Sequence, residues 1–209
     1  MRRITRHVLV PVGVALGLLA CAPKVKPEQL SQVPNEQIQA LDALELDIET
    51  TEGRLSERRA ELDRLEGRED RLEDRVEVLT DAEETARDER AESVEHGLSE
   101  VAATQKETVE AADETLEATE PVLDGTRDRA DELELEIAFL ETKVTWLEAV
   151  REVEKAEGAR AGGADLALGP FVQTQDKAFE KVQRAFSAWR ESLEPDEQMV
   201  ADVDKPEPR

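Results

Sequence analysis

The chain has no tyrosine, one cysteine, two histidines and only 3% aromatic residues. Aromatic side chains supply much of the buried area of compact mixed folds, so this shortage points away from such folds. The histidines are His7 and His96, the second alone in an acidic stretch. No H-E-x-x-H, glycine-rich phosphate loop or Cys/His metal spacing occurs. Aspartate–glutamate pairs abound, but acid–base chemistry needs a pocket that shifts a pKa, and a solvated helix face has none. The chain is therefore expected not to be an enzyme, with no catalytic residues, metal, cofactor or small-molecule substrate. Positive charge is scarce as well: 27 Lys and Arg face 51 Asp and Glu, for a net charge of −24. Such a chain repels nucleic acid and anionic headgroups, so no nucleic-acid partner is expected. Long apolar runs are missing too. The run from Val8 to Ala20 falls short of the roughly 18–20 residues that a spanning helix needs.

What is present divides into an N-terminal address and a helical body. Arg2, Arg3 and Arg6 precede the short apolar run, which ends at Cys21. A basic segment followed by a short apolar one reads as an export signal. Ala20-Cys21-Ala22 also fits the A-x-A pattern of ordinary secretory cleavage, which would place Pro23 first in the mature chain. A lone exported cysteine can also be a free or intermolecularly paired thiol. Leu18-Leu19-Ala20-Cys21 resembles the lipobox of bacterial lipoproteins. The resemblance implies cleavage before Cys21, a diacylglycerol on its thiol and an acylated amine. It also implies a lipid-anchored envelope protein. In enterobacterial members an aspartate after the cysteine retains the protein in the inner membrane. Ala22 therefore implies the outer membrane, facing the periplasm. The resemblance covers the signal and says nothing of activity.

Charged residues make up 37% of the chain, a composition typical of long helices and coiled coils when Glu, Ala, Leu and Arg predominate. Residues 21–34 carry three prolines and read as a lipidated flexible tether, with Lys24 and Lys26 beside the headgroups. Asn35 can cap a helix. From there a heptad holds for nearly six repeats. Its a positions are Leu41, Ile48, Leu55, Leu62, Glu69 and Val76; its d positions are Leu44, Thr51, Arg58, Leu65, Leu72 and Leu79. The apolar members, Leu41, Leu44, Ile48, Leu55, Leu62, Leu65, Leu72, Val76 and Leu79, form the candidate coiled-coil interface. A parallel homodimer would juxtapose Arg54 with Arg59 and Glu61 with Glu66, which disfavours that pairing. A trimer, an antiparallel pair, an intramolecular return helix and a foreign helix all stay open.

Beyond Thr80 the apolar residues thin to Val94, Leu98, Val101, Val109 and Leu116. Pro121 is expected to end this helix, with a turn at Asp124-Gly125-Thr126. A helix over about 126–157 carries two stripes: Leu133, Ile137, Leu140, Val144, Leu147 and Leu135, Phe139, Trp146, Val150, Val153. Apolar on two faces, it should be buried on two sides. After a glycine-rich loop (158–170), a helix over about 171–193 presents Phe179, Val182, Phe186, Trp189 and Leu193 as cover. The acidic, proline-bearing tail 194–209 reads as disordered.

The expected architecture is all-α: a long N-terminal coiled-coil helix (35–89) followed by an antiparallel three-helix bundle (90–193), behind a signal peptide (1–20). The expected partners are the membrane, through the lipid, and either a second copy or a partner protein helix. The expected function is that of a membrane-anchored structural spacer or scaffold. Alternatives are an accessory subunit of an envelope enzyme, transporter or secretion complex and, more weakly, a periplasmic holdase.

Overall fold

The computed structural model describes residues 22–31 and 33–207, and the described chain is all-α, without a strand. The helices are α1 (Pro27–Leu30), α2 (Asn35–Glu95), α3 (Ser99–Ala161), α4 (Gly169–Ser192) and α5 (Pro195–Ala201), followed by a 3₁₀ turn at Asp202–Asp204. The chain divides into two compact units. One contains residues up to Arg58 and from Leu135 onward; the other is residues 59–134. We call them the bundle and the hairpin.

In the bundle the two stripes of α3 behave as their spacing predicts. Leu140 and Leu147 on one face and Phe139, Trp146, Val150 and Val153 on the other are buried, while Ile137 and Val144 of the first and Leu135 of the second are half-buried. The α2 residues Leu44, Ile48 and Leu55 share this core with Val182, Phe186 and Trp189 of α4. Phe139 stacks on Trp189 at 5.1 Å between centroids and meets Phe186 edge-on at 5.3 Å. Such pairs add about 0.5–1.5 kcal/mol each beyond area burial. α4 carries Pro170 in its first turn, where the missing N–H costs nothing.

Three segments of the bundle depart from expectation. The expected flexible tether is packed instead: Val25 is buried with Val153, Ala156, Ala159 and Phe171, and Leu30 and Val33 cover them. The Val25 N–H also donates to the Glu152 carboxylate at 3.1 Å. Gly158, expected in a loop, lies within α3. A Cβ there would sit 2.9 Å from a Val33 methyl, so glycine admits the segment 22–34, the strap. The tail, expected to be disordered, forms α5, which seats Ala201 in the core. Asp202 accepts two bonds from Arg190, at 2.6 and 3.1 Å. Asp204 accepts from Arg54 at 2.9 Å and Lys143 at 3.2 Å. Composition marked the tail as too polar to fold, but two of its carboxylates, Asp202 and Asp204, are met by cations from three other helices.

The hairpin is α2 from residue 59, a turn, and α3 up to residue 134. The turn falls at His96–Leu98 rather than at Asp124–Thr126. Gly97 has φ +72°, a region that costs L-residues with a Cβ about 1–2 kcal/mol. The Leu98 N–H donates to the Ser93 carbonyl and the Gly97 N–H to the Val94 carbonyl, the Schellman arrangement that ends many helices. Pro121 lies inside α3, on an exposed position between buried Thr119 and Leu123. An interior proline costs roughly 3 kcal/mol. The helix continues because the three–four spacing runs through it: Ala112, Leu116, Thr119, Leu123, Thr126 and Ala130 all turn inward, Leu116 only partly. Tertiary packing of that stripe outweighs the local break.

Candidate functional site

Cys21 and the expected signal segment, residues 1–20, lie outside the described residues. Among the described residues no helix is long and apolar enough to cross a membrane, and none of them form a metal-holding cluster of His, Cys, Asp or Glu.

The candidate interface residues are described throughout, and they face inward. In the bundle Leu44, Ile48 and Leu55 are buried and Leu41 is half-buried; in the hairpin Leu62, Leu65, Leu72, Val76 and Leu79 are all half-buried. The same register runs on through Glu83, Ala86 and Ser93, each buried. The three polar seam positions are each satisfied within the chain. The Thr51 hydroxyl donates to the Asp47 carbonyl at 2.7 Å. In the bundle Arg58 Nε donates to Glu136 at 2.9 Å, and Glu136 is 4% exposed. In the hairpin Glu69 accepts from Arg127 Nε at 2.8 Å. Opposite charges that meet across the seam favour one register, since a slip would separate them. Of the partners open at the level of sequence, the return helix of the same chain occupies this seam.

The sequence reasoning missed Glu136 and Arg127. Both were readable only with the turn at Gly97 in place, because α3 then runs back along α2. The three–four spacing on α3 was also hidden in part, since alanine and threonine fill it where a coiled coil usually places leucine.

Further ion pairs line both units. Arg151 reaches Glu45 at 2.8 Å in the bundle. In the hairpin Arg127 also bonds Glu73, and Arg87 lies 3.5 Å from Asp113. The Arg127 guanidinium is held more basic than usual by its hydrogen bonds to Glu69 and Glu73. Glu83 is an exception to this balance. A hydrogen bond shared with Asp113, together with burial, raises its carboxyl above the ordinary range, although Arg87 pulls the other way. For Asp204 burial acts upward, but Lys143 and Arg54 outweigh it and hold the carboxyl low.

A groove of about 470 Å³ in the bundle runs between residues 22–25 of the strap and helices α3 and α4. Its apolar floor includes Val25, Ala149, Phe171 and Ala178, and Lys24 and Lys177 stand at its sides. Thr145, Thr174, Glu148, Glu152, Arg151 and Lys155 complete the lining, so the apolar surface is bordered by hydroxyls and by charges of both signs. No protein-family model matches the chain, and neither a curated protein nor a solved structure matches it.

Proposed function

We propose that this chain is a lipid-anchored helical protein of a bacterial envelope that acts as a structural spacer or scaffold. The observation that carries the reading is the N-terminus: three arginines, a short apolar run, then Leu18-Leu19-Ala20-Cys21. The packing of the strap supports it. Val25, four positions after Cys21, is buried on α3, so a lipid on that cysteine would be joined to the bundle by a very short link. Lys24 and Lys26 would then lie near the headgroups. Each buried methylene of the lipid contributes about 0.8 kcal/mol, and more than one chain is needed for stable anchoring. An N-acylated diacylglyceryl cysteine meets that requirement. Ala22 favours the outer membrane, facing the periplasm. The mechanism is tethering, which raises the local concentration of whatever the protein body binds.

A second reading, an accessory subunit of an envelope enzyme, transporter or secretion complex, is favoured by one observation. The seam that could have served self-association is filled by α3, which leaves other surfaces for a partner.

The test is labelled palmitate in cells expressing the full chain or Cys21→Ser. Wild type should take up label and resist salt and carbonate washing. Cys21→Ser should take up none and move to the soluble envelope fraction. An unlabelled wild type, or a Cys21→Ser protein that stays membrane-bound after washing, ends the lipoprotein reading.

A further inference from the structure

Five large apolar side chains of the hairpin are exposed, and three of them fall within eight residues at the turn: Val94 at 63%, Leu98 at 51% and Val101 at 46% exposure. The other two, Val78 and Val122, stand apart along the helices. Isolated exposed apolar residues need no explanation, whereas a cluster does.

Leu98 holds two local positions at once, and leucine serves neither. As the residue just after Gly97 in the Schellman turn, it would normally pack on the residue whose carbonyl its N–H reaches. That residue is Ser93, which offers no apolar surface. Leu98 also immediately precedes α3, and its carbonyl accepts the Ala102 N–H. At this N-cap Ser, Thr, Asp or Asn would stabilise the helix, and leucine is among the poorest residues. The turn itself is set by the two Schellman bonds and by the positive φ of Gly97. An apolar projection whose backbone is already hydrogen-bonded has less conformational entropy to lose on binding.

The charge around the turn says what it can meet. Residues 80–120 contain fourteen carboxylates but only Arg87, Arg90 and Lys106 as cations. Glu92, Glu95 and Glu100 flank the three apolar residues and are exposed. This field repels a second copy of the same turn, nucleic acid and an anionic bilayer. It attracts a basic surface.

We propose that Val94, Leu98 and Val101 form a docking knob that seats in an apolar cleft rimmed by Lys or Arg on a different protein. The inference goes beyond the anchoring proposal and stands whether or not Cys21 carries lipid.

The test places a photoreactive phenylalanine analogue at position 98 of the full chain, in cells of its source, with position 78 as the control. The crosslinked peptide is then mapped by mass spectrometry. The expected result is one partner, crosslinked from 98 and not from 78, through an apolar segment flanked by Lys or Arg. With that partner purified, Leu98→Asn should weaken binding about tenfold or more while helicity and melting are kept. Glu95→Lys with Glu100→Lys should weaken it separately, and moving from 50 to 300 mM salt should weaken it about fivefold. A crosslink to this chain itself, to lipid or to an acidic surface overturns the proposal. So does equal crosslinking from 78, no crosslink at all, or binding indifferent to both sets of substitutions.

Discussion

In the bundle, Phe139, Leu140 and Val182 are sealed from solvent completely; in the hairpin only Leu133, at its border, reaches that state. The difference follows from the width of the apolar surface. In the bundle α3 is apolar on two faces, and it has α4 and the strap to cover it as well as α2. In the hairpin one narrow stripe meets one other helix. Two helices bury the smaller or central side chains of the stripe, such as Ala86, Val109 and Leu123, but leave Leu62, Leu65, Leu72 and Leu79 half-exposed. Cross-helix charges such as Arg127 with Glu69 and Glu73 supplement them, each exposed pair being worth only about 0.2–1 kcal/mol. One pair of helices is thus core-driven in the bundle and depends on register and pairing in the hairpin.

The comparison is tested most severely by truncation. Phe139→Ala should cost about 3–5 kcal/mol, whereas Leu72→Ala should cost roughly 1–2 kcal/mol because half its area is already wet. Urea unfolding reads both: Trp146 and Trp189 report the bundle by fluorescence, and circular dichroism follows total helix. Equal costs would show that the seam carries as much as the core.

Removing the helix breaker sharpens the contrast from the other side. Pro121→Ala should stabilise the hairpin by about 1–3 kcal/mol, since its ring is exposed and only the backbone penalty is lost. Amide exchange across residues 110–130 should slow. Unchanged or faster exchange would mean that the proline fits a bend the hairpin requires.

The smallest effect expected is an opposite response to acid. The raised carboxyl of Glu83 gives stability that is full below the unfolded glutamate value and lost as pH rises through the higher folded one. Lowering the pH from 7 toward about 4.5 should therefore firm the hairpin near residue 83. The lowered carboxyl of Asp204 gives stability that is full above the unfolded aspartate value and lost as pH falls through the lower folded one. The α5 tail should therefore loosen only below about pH 4. Hydrogen exchange at 80–90 and 195–204 reads both regions. Glu83→Gln should abolish the first change and Asp204→Asn the second; persistence in either variant would assign it to other groups.

The all-α class, the heptad at 41–79, the two faces of α3 and the aromatic face of α4 were legible because a periodic apolar pattern depends only on residue order. Chain reversal was not. Pro121 and Asp124-Gly125-Thr126 carry stronger local break signals than Gly97, yet the chain turns at Gly97. The candidate interface was likewise readable as a seam, while its occupant was not, because Arg58 and Glu69 find opposite charges only in one antiparallel register. The packed strap and the ordered tail were hidden for a related reason: Val25, Asp202 and Asp204 gain their partners from residues far along the chain.

The sequence by itself determined the helical class, the apolar stripes and the acidic surface, together with the lipobox-like Leu18-Leu19-Ala20-Cys21, because each is a property of composition or of spacing along one chain. Only the tertiary structure decided where the helix reverses, which helix fills the seam and which apolar residues are left outside. Those outcomes depend on free energies summed over pairs distant in sequence, and at Pro121 the sum of such pairs exceeds the strongest local signal the chain contains.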